Sequence, residues 1–181
     1  MAIIPETEAD YQNMMLTCCH EAGHAVLATY SQFHWVSSDI RINATTVAST
    51  GIWTADENIE AAKQHYSAAQ LARKLAVDYA VIMFAGRFAE ERLAAIRSKA
   101  GEHILLSRQG WQLDELEARS AFARAEVGKC GQILARIQSW WLVRKYWQPI
   151  NIVTDEIIRQ GDFVLRGERI RQLCLPTTTG R

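Results

Sequence analysis

Histidines at positions 20 and 24 enclose a glutamate and two small residues, in the order His20-Glu21-Ala22-Gly23-His24. No other stretch restricts the fold of this chain as tightly. On an α-helix two imidazoles at this spacing can act together, because residues i and i+4 share a face with Cβ atoms about 5–6 Å apart. The flanking sequence supplies that helix. Met14, Met15, Cys18, Cys19, Ala22 and Val26 recur at helical spacing, and Thr7 with Asp10 forms a variant capping box, so the helix should run from near Thr7 to about Tyr30. The Ala22-Gly23 pair leaves room for a second backbone to approach closely.

The spacing also carries chemistry. H-E-x-x-H is a pattern of zinc peptidases: the two imidazoles converge on one ion at about 2.0–2.1 Å, and the glutamate, angled away, acts on a water rather than on the metal. Zinc lowers the pKa of a bound water to about 7, and Glu21 is placed to take its proton and pass it to a leaving amine. Such a site needs a third protein ligand. A third histidine six residues after the second, with a glycine between, is absent: Leu27 and Tyr30 stand at those positions. Spacing alone leaves Glu57, Glu60, Asp39, Asp78, Glu90 and Asp114 open, and His34, His65 and His103 by chemistry.

The remainder of the chain reads as mostly helical. At 181 residues, with 49% hydrophobic and 22% charged, it should form a single domain over 1–181, loose at 1–6 and 176–181, rather than a disordered chain. Twenty cations balance twenty anions, which argues against a broad nucleic-acid footprint. No run approaches the roughly 20 apolar residues of a membrane span, and no signal peptide opens the chain. Cys18, Cys19, Cys130 and Cys174 form no C-x-x-C and read as reduced thiols, which favours the cytoplasm. Residues 33–53, rich in β-branched and aromatic side chains, should make a small sheet or hairpin with strands near 35–42 and 46–53. Thr54 with Glu57 reads as a capping box for a second helical region, and Ser67 as the start of a long helix to about residue 97. A loop over 98–110 should lead to helices at 113–127, 132–147 (stopped by Pro149), 151–160 and 165–173.

HEAGHAVLA resembles the zinc site of FtsH-type peptidase domains, the proteolytic part of membrane-linked AAA proteases. Three further segments agree in order: the strand region Trp35–Trp53, FAGRFAEER (84–92) beside that family's G-G-R-x-A-E-E, and LDELEARSAFARAE (113–126) beside its N-D-[LI]-x-x-A-x-x-x-A-R. INIVTDEIIRQGDFVLRGERI (150–170) looks like the closing helices, so the similarity spans about residues 11–172. The resemblance implies a mainly α domain with one small sheet after the motif helix and a zinc cofactor. It implies Asp114 as third ligand, near a helix start, and an extended polypeptide substrate laid along an edge at Thr50, Gly51, Ile52 and Trp53. It implies rings as a form of assembly, so homo-oligomers are an expectation. Glu90 shares a helix face with Met83, Gly86 and Leu93 and should point inward, toward the outer nitrogen of a ligand histidine or toward Arg87 or Arg97.

The chain departs from that family in several places. No ATP-driven unfolding domain and no membrane helices accompany the peptidase-like segment. Trp111 stands where small residues precede the aspartate and should narrow a cleft. Cys18 and Cys19 replace an aromatic residue before His20, open to oxidation, to adventitious zinc or to plain helix packing. SWWLVRKYW (139–147) suits a partner or lipid surface, or a core stripe with a snorkelling rim. The sequence thus supports a zinc metallopeptidase acting on unstructured chains. The alternatives are a catalytically silent peptide-binding or assembly module, and a zinc hydrolase with another substrate.

Overall fold

Thirteen polar and apolar side chains of the first helix are buried, and the rest of the fold is the shell around them. In the computed structural model, which describes residues 7–42, 48–102, 106, 109–160 and 164–175, helix α1 spans Glu8–Thr29 and is buried without interruption from Cys18 to Ala28. The Thr7–Asp10 capping box is formed at its start. Because α1 is buried on all sides from Cys18 to Ala28, the polar members of that segment must find partners inside the protein.

Helix α2 (Asp56–Lys63) and the long helix α3 (Ala68–Lys99) follow a hairpin of β1 (His34–Ile42) and β2 (Ala48–Thr54). Ser67 and Gln70 close the capping box of α3. The hairpin is antiparallel, with His34 opposite Thr54 and Val36 opposite Ile52, but the next pair is Ile40 with Thr50. That irregularity accounts for the broken alternation of the sequence there. Strand β3 (Val164–Leu165) pairs with β1 on its other side, giving the order β2-β1-β3, so among the described residues β2 is an edge of the sheet.

Helices α4 (Gln109–Arg124), α5 (Lys129–Lys145), α6 (Trp147–Gln160) and α7 (Gly167–Cys174) complete the described elements. One hydrophobic cluster joins α1, α3, α5, α6 and α7 with the sheet, through Val26, Ile40, Ile82, Val143, Ile150 and Ile170 among others. Each such side chain contributes about 1.5–3 kcal/mol on full burial. Where α1 meets α3 the backbones nearly touch: a Cβ on Gly23 would lie 2.8 Å from the Ala85 carbonyl oxygen. Only a residue without a side chain fits that crossing.

Several boundaries differ from the sequence reading. Ala55, not Thr54, caps α2, and without a side-chain bond; Thr54 ends β2 opposite His34 instead. Helix α4 begins at Gln109, four residues before the expected start. Pro149 does not stop a helix but sits in the first turn of α6, where its missing N–H is not needed. The short strand β3 falls where a helix was expected to begin. The strand residues 46 and 47, His103, and the segments 1–6 and 176–181 lie outside the described residues.

Candidate metal centre

Three helices bring their side chains to one point. From α1, His20 and His24 stand on one face with ring centroids 4.6 Å apart and planes at 77°. Their Nε2 atoms are 2.9 Å apart. From α4, Asp114 Oδ2 lies 3.0 Å from His20 Nε2 and 3.3 Å from His24 Nε2. From α3, Glu90 Oε1 meets His20 Nδ1 at 2.5 Å, and the Ile82 carbonyl oxygen meets His24 Nδ1 at 2.8 Å.

The outer contacts fix the tautomers. A carboxylate and a backbone carbonyl only accept, so each Nδ1 must carry the proton and donate it. Both Nε2 atoms then present lone pairs, to each other and to the carboxylate oxygen Asp114 Oδ2. Three acceptors about 3 Å apart repel unless a cation lies among them. Bonds of about 2.0–2.1 Å at a tetrahedral angle place donor atoms about 3.3 Å apart, close to the separations observed. Asp114 Oδ2 is buried and accepts no hydrogen bond from a protein donor. His20, His24 and Asp114 are the group among the described residues that could hold a metal ion, and no fourth His, Cys, Asp or Glu joins them.

Electrostatics point the same way. Burial alone would push the His20 imidazole down, but the Asp114 carboxylate 3.0 Å away, the bond to Glu90 and the field of Glu21 outweigh it and raise it to about 10. Burial likewise opposes the charged form of His24, and the nearby Asp114 carboxylate still raises its pKa. Burial would raise Asp114, whereas His24 and His20 hold it well below the usual carboxylate range. The pocket is a negative field in want of a positive charge, which a proton or a metal ion can supply.

Gly86 of α3 forms the floor. A Cβ there would stand 2.6 Å from His20 Cε1, His20 Nε2 and His24 Nε2. Glu21 is buried beside the histidines, and its Oε2 accepts a 2.6 Å hydrogen bond from the Thr50 hydroxyl on β2. The edge strand is therefore tied to the glutamate of the motif. Further along β2 a mostly apolar cleft of about 380 Å³ opens, lined by Ile52, Thr54, His34, Leu75, Tyr79 and Arg124.

The structure gathers His20, His24, Asp114, Glu21, Glu90 and Thr50, and it disperses the other third-ligand candidates. Glu57 and Glu60 are exposed on α2, where Glu60 pairs with Lys63. Asp39 lies near Arg41, and His65 is exposed. Asp78 accepts from His34 Nδ1 at 2.6 Å and from Ser31, away from the histidine pair of α1. Of the two expectations for Glu90, the histidine partner is the one observed, since Arg87 pairs with Glu91 and Arg97 with Glu102. Asp114 sits in the second turn of α4, beyond the reach of a helix-start effect. Cys18 and Cys19 are fully buried, and burial followed by the field of Glu21 pushes the Cys18 thiol up to about 12, which favours helix packing over oxidation or metal binding. Trp111 packs under the Arg87 guanidinium, 4.9 Å from its ring centre, on the α3–α4 seam. Gly86, the Ile82 carbonyl and the Thr50–Glu21 bond are site elements that sequence reasoning did not single out. A glycine inside a helix costs about 1 kcal/mol against alanine, so Gly86 had one available signal. No family model, curated protein or solved structure matches the chain.

Proposed function

We propose that the chain is a zinc-dependent peptidase of the FtsH type that hydrolyses peptide bonds of unstructured polypeptides. The observation that carries this reading is the convergence of two bare imidazole nitrogens and one carboxylate oxygen, next to a buried glutamate held by an edge strand. His20, His24 and Asp114 would hold the ion, and the position left after three protein donors suits a hydrolytic rather than a structural site. Bound zinc supplies Lewis acidity, which brings the pKa of a water near 7 and polarises a substrate carbonyl.

The chain's own residues do the rest. Glu21 accepts a proton from the attacking water and returns it to the leaving nitrogen as the C–N bond breaks, so it ends the cycle as it began. Thr50 donates to Oε2 of that carboxylate and fixes its orientation. Glu90 and the Ile82 carbonyl hold the imidazoles in the ligating tautomer. The edge of β2, free among the described residues, runs from Thr50 through Gly51 and Ile52 to Trp53 and offers main-chain pairing to an extended peptide, which binds with little sequence choice. The cleft beside Ile52 and Thr54 has room for a substrate side chain. A folded protein cannot present an extended strand to this edge, so unstructured segments are the substrate class. Four free thiols suit the reducing cytoplasm.

The test is cleavage of a library of unstructured peptides by the zinc-loaded chain, with a chelator control and the variant Glu21→Gln. Turnover that requires zinc and disappears in Glu21→Gln, while zinc content stays at one per chain, supports the reading. Zinc-independent turnover, or full turnover in the variant, refutes it.

A further inference from the structure

Helix α5 turns an apolar stripe to the solvent. Ile133, Leu134, Ile137, Trp140 and Trp141 are between 43% and 61% exposed, while Ala135, Ser139 and Val143 on the opposite face are buried. The sequence reading of 139–147 as a core stripe therefore fails for both tryptophans of α5. A stripe of this size on a water-facing helix marks a surface that something else covers. The charge around it narrows the choice. From Val127 to Thr154 there are four cations and no acid. Arg136 is paired with Glu115, which leaves Lys129, Arg144 and Lys145 without an ion pair among the described residues.

Beside the stripe, between α3 and α5, lies a separate polar cleft of about 310 Å³. Arg92, Lys99 and Arg144 line it, with Trp140 at its edge. Its one acid, Glu91, is bonded to Arg87. The Arg92 guanidinium lies over the Trp147 ring, and its buried Nε atom has no hydrogen-bond partner among the described residues. Burial, and then the neighbouring Arg92 guanidinium, push Arg144 below its ordinary value. Three cations gathered around a cleft without a free anion are an anion site.

We propose that α5 and this cleft form a peripheral docking surface for an anionic phospholipid bilayer. Headgroup phosphates enter between Arg92, Lys99 and Arg144, and Trp140, Trp141, Ile133 and Ile137 sit in the interfacial layer. Exposed tryptophans with cations on a helix that lies in the membrane plane fit such a surface, and no described helix is long and apolar enough to cross it. A second copy docked face to face would bring Lys129, Arg144 and Lys145 of both copies into one interface with no acid on α5 to offset them, which disfavours that occupant. The inference is independent of the peptidase reading.

Sedimentation of the full chain with vesicles tests it, comparing phosphatidylcholine alone with equimolar phosphatidylcholine and phosphatidylglycerol. Binding to the anionic vesicles alone is expected, with a blue shift of tryptophan emission. Raising the salt should weaken it. Arg144→Gln should weaken it about fivefold, the contribution of one cation at an anionic surface. Trp141→Ser, at an exposed position, should reduce the emission shift, with Trp140 supplying the remainder, and weaken binding. Equal binding to neutral vesicles overturns the proposal, as does unchanged binding in both variants. So does a dimer in light scattering with no vesicle binding, which assigns the stripe to a second copy. Calorimetric binding of inorganic phosphate without vesicle binding also overturns it, and leaves a site for free anions.

Discussion

Gly86→Ala is the sharpest perturbation the centre offers, because it adds one methyl group at the point where the ligand atoms meet. The new Cβ would lie 2.6 Å from both Nε2 atoms, about 1 Å inside ordinary contact. The imidazoles cannot swing away freely, since His20 Nδ1 is held by Glu90 and His24 Nδ1 by the Ile82 carbonyl. For the metal-free fold, overpacking costs about 1–3 kcal/mol. The helix gains about 1 kcal/mol from replacing glycine by alanine, so the net loss is about 0–2 kcal/mol. For the metal the effect is larger, because ligand distances must stay within about 0.2 Å of their ideal values. A disturbed outer partner already costs about 10–100-fold in affinity, and a disturbed ligand pair should cost at least about 100-fold. At a free zinc concentration of 100 times the wild-type dissociation constant, bound metal stabilises the fold by about 2.7 kcal/mol. A hundredfold weaker site keeps about 0.4 kcal/mol. Thermal melts with and without zinc should thus show a wild-type shift of about 5–11 °C that shrinks to about 1–2 °C in the variant. Circular dichroism should show the same helix content in both. A Gly86→Ala protein that holds one zinc with undiminished affinity would refute the placement of both Nε2 atoms over this glycine.

Two further outcomes follow from the same geometry. Glu90→Gln keeps the shape but removes the charge behind His20, so chelator competition should show zinc affinity down about 10–100-fold; an unchanged affinity removes Glu90 from the centre. The third concerns pH. The folded pKa of His20 is raised above its ordinary 6.5 to about 10, so the metal-free protein owes this group stability that is complete below about pH 6.5 and lost as pH climbs through 10. Zinc must displace that proton, so its affinity should rise about tenfold per pH unit over this window, while the melting temperature of the metal-free chain falls; a pH-independent affinity contradicts it.

What the sequence made legible was local. The capping boxes at Thr7–Asp10 and Ser67–Gln70 each involve residues three apart, and both are present. The box at Thr54–Glu57 obeys the same pattern and does not form, because Thr54 is committed to the strand pair with His34, twenty residues earlier. Strand β3 escaped notice because two residues pair with Ile40 and Arg41, more than a hundred positions away. The site divides in the same manner. His20, Glu21 and His24 belong to one turn of helix and could be read directly. Asp114 lies ninety positions downstream of His24, and among the open candidates only the family resemblance selected it. Gly86 lies within the G-G-R-like segment but shows no donor atom, so nothing in the sequence assigns it to the centre; its importance comes from standing under the imidazoles where α3 passes α1.

The centre also bears on how α4 is held. His20, His24, Gly86, Glu90 and Ile82 belong to α1 and α3, whose close crossing at Gly23 exists without any ligand. Asp114 is the contribution of α4, and its buried Oδ2 meets two lone pairs and no protein donor. Without a positive charge that contact repels, and α4 is pushed away from the pair at this point. With a proton on His20 the contact becomes one charge-assisted hydrogen bond. With a divalent ion it becomes a three-point junction of α1 with α4, backed by α3. Metal should therefore order α4 more than it orders α1 or α3. Hydrogen exchange at the amides around Asp114 should slow most on adding zinc, whereas those from Ala22 to Leu27 should change little. Equal slowing across all three helices would show that the ion stabilises the fold as a whole and does not fasten α4.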